Sequence, residues 1–188
     1  MKYIPTIITV VLLLWPLPVS PSEAGIEWAR LKQESEELYR AGQYGRAVIV
    51  AKKALEIAEK NVDPNPPTVA TSLNNLAVLY HTQGQYTVAE PLYKRSLAID
   101  EKALGPDHPA VATSLNNLAG LYYTQGQYAL AEPLYKRALA IYEKALGPNH
   151  PNVATDLNNL ASLYRATKRD REAAILEQRA ARIEAIQR

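Results

Sequence analysis

Leu73-Asn74-Asn75-Leu76-Ala77 returns as Leu115-Asn116-Asn117-Leu118-Ala119 and again as Leu157-Asn158-Asn159-Leu160-Ala161, each time after 42 residues. Outward from this string, residues 67–108 and 109–150 are identical at 34 of 42 positions. A pattern that long in fixed register marks one structural unit, duplicated under one set of packing demands. Gly42-Gln43-Tyr44 stands 42 residues before Gly84-Gln85-Tyr86, so a degenerate first unit occupies 25–66. The last unit, 151–188, keeps the opening half but replaces the Gly-Gln-Tyr turn with Lys168-Arg169-Asp170. Terminal units are expected to deviate, because one of their faces meets water.

Within the second unit Leu73, Leu76, Ala77 and Tyr80 fall at i, i+3, i+4 and i+7, the apolar stripe of an amphipathic helix over about Val69 to Gln83. Gly84 is placed to end it in a left-handed conformation. A second helix, about Tyr86 to Leu104, carries Ala89, Leu92, Tyr93, Ser96, Leu97, Ile99 and Ala103, and Gly105-Pro106 stops it. Pro91 is expected near the start of that helix, with a mild kink. Ala77 and Ala89 allow the two helices to approach closely, with Tyr80 and Tyr93 filling the space around them. The unit is an αα-hairpin that stacks on copies of itself. His108 and His150 share one loop position, which predicts a capping or turn role for both.

The first two dozen residues read differently. Met1-Lys2 is a short positive start, Ile4 to Val19 is apolar apart from two threonines and three prolines, and Ser22-Glu23-Ala24 offers a small-x-small cleavage site. Residues 1–24 are therefore expected to be a secretory signal peptide, leaving 25–188 as the mature domain, secreted or periplasmic. The alternative is a retained membrane anchor facing the periplasm. Sixteen apolar residues reach roughly 24 Å, short of a hydrocarbon core of roughly 30 Å, and Pro16 and Pro18 would break the last turn. Without cysteine, neither a lipidated cysteine nor a disulfide is possible. The rest of the chain holds 20 basic and 18 acidic residues, a balance that gives no footing to nucleic acid or to an anionic membrane surface.

The strings Leu-Asn-Asn-Leu-Ala-x-Leu-Tyr, Gly-Gln-Tyr, Ala-Glu-Pro-Leu-Tyr-Lys-Arg and Leu-Gly-Pro-x-His-Pro together resemble tetratricopeptide repeats, in the 42-residue variety of kinesin light chain. The resemblance covers Gly25 to Arg188. It implies an all-α, right-handed solenoid of about four hairpins, and binding of a peptide or protein segment along the concave surface lined by the first helix of each unit. At 100° per residue, Thr71, Asn74, Val78 and His81 cluster about 130° from the apolar stripe. Their equivalents are Thr113, Asn116, Gly120 and Tyr123, then Thr155, Asn158, Ser162 and Arg165; the first unit adds Lys32, Glu36 and Tyr39. An asparagine amide both donates and accepts, so Asn74, Asn116 and Asn158 are suited to an extended peptide backbone whatever its side chains, and the resemblance implies the same role. The competing reading is a ladder of bonds between units, assigned here to Asn75, Asn117 and Asn159, which face the preceding unit.

Chemistry beyond binding has little support in the residues. No phosphate loop, paired metal-ligand motif or cofactor signature occurs, and of the three histidines only His81 lacks an equivalent, which leaves it as a weak candidate base or ligand. Ala173, Leu176, Ala180, Ile183 and Ile186 form a stripe on the last helix, about Arg171 to Arg188, read as a solubilising cap or as a docking surface for a second copy. The expected function is a non-enzymatic protein-interaction scaffold without cofactor; the alternative is a self-assembling repeat protein.

Overall fold

The computed structural model describes residues 21–60 and 66–187. Of the expected signal segment only Pro21–Ala24 falls among them; there the chain is already helical, four residues ahead of the expected boundary at Gly25, and Ala24 is buried. Eight helices form among the described residues: α1 Pro21–Arg40, α2 Tyr44–Lys60, α3 Pro66–Thr82, α4 Tyr86–Leu104, α5 Pro109–Thr124, α6 Tyr128–Leu146, α7 Pro151–Ala166 and α8 Asp170–Ile186. They pair as four hairpins in a right-handed α-solenoid, each helix packed on its neighbours in sequence. Odd-numbered helices of adjacent units also touch, α3 with α5 and α5 with α7, so they line the inner side of the stack. No helix among the described residues is long and apolar enough to cross a membrane.

Local chemistry sets each boundary. Proline opens α5 and α7, where its missing N–H costs nothing and its fixed φ is already helical. His108 and His150 take the expected capping position: Nδ1 accepts the amide of Ala110 in one case and of Asn152 in the other, both at 3.1 Å. The turns within hairpins close on Gly42, Gly84 and Gly126, at φ of +70° to +73°. The last turn places Lys168 at φ +61° instead, a conformation that costs an L-residue about 1–2 kcal/mol. Lys168→Gly should therefore raise the stability of the last hairpin by about 1 kcal/mol, glycine's own flexibility offsetting the rest. Urea unfolding measures it, and a variant no more stable than the parent would show the turn to be unstrained.

Alanine pairs set the helix spacing. Ala77 with Ala89, Ala119 with Ala131 and Ala161 with Ala173 are all essentially inaccessible, and Tyr93 and Tyr135 are buried beside them. One expectation for the second helix needs correction. Ala103 is exposed, and the position completing its buried stripe belongs to Asp100. Pro91 is the sixth residue of α4; it denies a helical partner only to the carbonyl of exposed Thr87. Ion pairs repeat with the same 42-residue step across the even-numbered helices: Arg95 with Glu59 at 2.8 Å, Arg137 with Glu101 at 2.6 Å, and Arg179 with Glu143.

Candidate functional site

The inner helices bring the expected groove residues into one row, and the bonds among them show which polar atoms remain for a ligand. Asn117 Nδ2 donates to Asn74 Oδ1 at 3.0 Å, and Asn159 Nδ2 donates to Asn116 Oδ1 at 3.1 Å. The two asparagine sets thus form one ladder, in which the second asparagine of each unit reaches back to the first asparagine of the unit before. Asn74 and Asn116 are half-buried and Asn158 is exposed. Asn74 and Asn116 thus enter the ladder as acceptors, through Oδ1. Asn158 donates instead to Glu184 at 3.1 Å. Asn75 meets Lys32 where a first asparagine would stand, so the ladder has no rung there.

At the far end of each inner helix a second feature repeats and then changes chemistry. Tyr39 packs on Tyr44, His81 on Tyr86 and Tyr123 on Tyr128, with ring centroids 5.5–5.6 Å apart. In the fourth unit the same two positions hold Arg165 and Asp170, paired at 3.4 Å, and Arg165 also grips Glu177 through two bonds of 2.7 Å. An aromatic contact thus gives way to an ion pair where the turn changes. Arg169, in place of the usual glutamine, stacks 3.7 Å above Tyr164 and holds Glu132 with both carboxylate oxygens within 3.0 Å. Arginine suits this position because its planar fork can stack and bond at once.

His81 Nε2 lies 3.1 Å from Thr124 Oγ1, which also lies 2.8 Å from the Gly120 carbonyl. Burial lowers the pKa of His81 and keeps it neutral near pH 7. Each threonine of the row bonds back into its own helix, Thr71 to the Pro67 carbonyl at 2.9 Å, Thr113 to that of Pro109 at 3.3 Å and Thr155 to that of Pro151 at 3.3 Å, and Thr113 also meets the Tyr142 hydroxyl at 2.6 Å. Ser162 likewise bonds the Asn158 carbonyl at 2.8 Å, and Val78 packs on the core. Lys32 and Glu36 lie 3.6 Å apart on α1. No group of three or more His, Asp or Glu among the described residues is placed to hold a metal ion.

A pocket of about 320 Å³ opens in this row between Thr71, Asn74 and Thr113, with Lys32 and Glu36 at one side. Its depths hold Ser96, Asp100 and Ser114, all buried. Ser114 donates to Asp100 Oδ2 at 2.8 Å, and Ser96 donates to the Ala70 carbonyl at 2.8 Å. Burial raises the Asp100 pKa, while the Ser114 bond and His108 oppose the rise. None of these floor residues is among those expected from sequence. The available signal was Asp100 itself, which falls seven residues after Tyr93 and four after Ser96 on the buried stripe of its helix, and which Tyr142 replaces one unit later.

The tetratricopeptide repeat pattern matches residues 68–144 and 111–183, together more than half of the sequence. The chain belongs to the tetratricopeptide repeat family. Among solved structures it is similar to BtubC (BKLC) from P. vanneervenii, at 28% identity and a TM-score of 0.76, covering 89% of this chain and 66% of that one. It is similar also to a kinesin light chain from Podosopora anserina built of nearly identical tetratricopeptide-like repeats, at 28% identity and a TM-score of 0.73, covering 88% and 76%. Aspartyl phosphate phosphatase F from Bacillus subtilis shares the fold, at 17% identity, a TM-score of 0.75 and coverage of 89% and 41%. No match was found among curated proteins. The kinesin light chain likeness expected from the Leu-Asn-Asn-Leu-Ala strings is therefore present in both sequence and fold, and the chain is a protein-interaction repeat of that type.

Proposed function

We propose that this tetratricopeptide repeat protein is a non-enzymatic scaffold that holds an extended peptide segment of a partner along α3, α5 and α7. The single observation that carries the reading is the asparagine ladder. It occupies one acceptor site on Oδ1 of Asn74 and of Asn116 and leaves their amide donors for a ligand, a complement to the carbonyls of an extended backbone. Thr71, Thr113, Tyr123, Thr155, Ser162 and Arg165 flank that line, and variation at Val78/Gly120 and His81/Tyr123 tunes it. The apolar N-terminal segment supports delivery outside the cytoplasm. Cleavage after Ala24 would remove the first turn of α1 and leave the buried contacts from Leu31 onward.

Self-assembly through the last helix has weaker support. Ala173, Ala180 and Ile183 are buried within the described hairpin stack, so of the large aliphatic side chains on α8 only Ile175 and Ile186 remain exposed. The scaffold reading is tested by selecting displayed random 12-residue peptides on the full chain and measuring the selected ones by fluorescence anisotropy. Replacing Asn74, Asn116 and Asn158 together by alanine should weaken binding about 30-fold or more, at roughly 1 kcal/mol per lost bond. The Asn74→Asp, Asn116→Asp pair, which keeps the ladder acceptors, separates loss of donors from loss of the ladder. Undiminished affinity in a helical triple variant would place the site elsewhere.

A further inference from the structure

We infer that the pocket between Thr71, Asn74 and Thr113 takes a basic side chain of the bound segment, with the Asp100 carboxylate as its counter-charge; this rests on the groove reading above and adds the partner's chemistry to it. The pocket lies in the asparagine row itself, so a segment running along the row would pass its mouth. Its charged lining residues are Lys32, Glu36 and Asp100, and Lys32 is engaged by Glu36 at 3.6 Å, which leaves one uncompensated negative charge at the floor. Asp100 is only 5% exposed; one carboxylate oxygen accepts from Ser114, and the other has no hydrogen bond or ion pair among the described residues. A carboxylate taken from water and left without a cation is costly, and a guanidinium or ammonium group entering from the groove would relieve that cost.

The stack does not require a carboxylate at position 100 itself. One unit later the equivalent seam is built from Tyr142 in place of Asp100 and Ala138 in place of Ser96, and Tyr142 reaches across to bond Thr113 at 2.6 Å. Two of the eight differences between units that are otherwise identical thus place a serine and a carboxylate where the next seam has a methyl group and a tyrosine ring. The next seam also buries a carboxylate, Asp156 at the position of Ser114, but there the Tyr142 ring stands where Asp100 stands here and bonds Thr113.

The test is a titration of the full chain with N-acetyl-arginine amide and with N-acetyl-norleucine amide, followed by amide NMR shifts. Saturable shifts at Thr71, Asp100, Thr113 and Ser114 are expected with the arginine probe alone. Asp100→Asn, which keeps an acceptor for Ser114, should weaken the response at least tenfold. Asp100→Tyr, which borrows the residue the fold already accepts at position 142, should abolish it and serves if Asp100→Asn does not fold. Equal response to norleucine amide, no response to arginine amide, or full response in folded Asp100→Asn would each overturn the inference. Selected groove peptides with no fixed basic position would also overturn it while leaving the groove reading intact. A positive arginine titration that survives replacement of the three asparagines, when peptide binding does not, supports the pocket independently of the ladder.

Discussion

Asp156→Ser should stabilise the last hairpin by about 2–4 kcal/mol at pH 8 and by less than about 1 kcal/mol near pH 4. Asp156 is 1% exposed, and neither of its carboxylate oxygens has a hydrogen-bond partner. Burial pushes its pKa up from 3.8 to about 7. The folded state therefore holds this proton more tightly than the unfolded chain does. Between about pH 4 and pH 7 the folded form binds more protons, so the stability due to the protonated carboxyl falls as pH rises through that window and is lost above it. Burial raises the pKa values of Tyr142 and Tyr135 on α6, and the Asp156 charge adds to the rise. Serine occupies the equivalent positions 72 and 114 and is buried there without penalty. Urea unfolding at the two pH values, with hydrogen exchange of α7 and α8, measures the effect; equal stabilisation at both pH values would show that charge burial is not its origin.

Leu121→Ala should cost about 3 kcal/mol, within the range for truncating a fully buried leucine. The position matters as much as the size. Leu121 belongs to the apolar cluster that runs from Ala77 and Tyr93 through Leu118 to Leu160 and Ala173, so it links the second, third and fourth units. In a stack where units touch only their neighbours, stability is a sum of unit and interface terms. Weakening a central interface should lower the urea midpoint and split the transition, with amides of α7 and α8 exchanging before those of α3 and α4. A single sharp transition, displaced without a change of slope, would argue instead for a fully cooperative domain.

Most of the fold can be read from particular residues. The step from Leu73 to Leu115 to Leu157 gives the unit, Gly84 and Gly126 give its turns, and the Ala77–Ala89 pair gives the hairpin crossing. Each of these is set by local sterics or by periodicity, which a single chain carries in plain form. The His108 and His150 caps were legible for the same reason. The groove was legible as a direction, from 100° per residue, but not as a set of bonds. Nothing in the string Asn74-Asn75 says that Asn117 will spend the acceptor of Asn74, because that depends on the offset between stacked units. Asp100 and Asp156 were harder to find. Both are acidic residues at stripe positions, and only packing shows that one faces a pocket while the other faces neither a partner nor water.

The central claim, that the row from Thr71 to Arg165 holds an extended segment, is tested most directly by mapping a selected peptide on the full chain through amide shifts and hydrogen exchange. The account predicts protection along α3, α5 and α7, strongest near Asn74 and Asn116, with no change at the Arg137–Glu101 face. Protection confined to the even-numbered helices, or to α8 around Ile175 and Ile186, would contradict it.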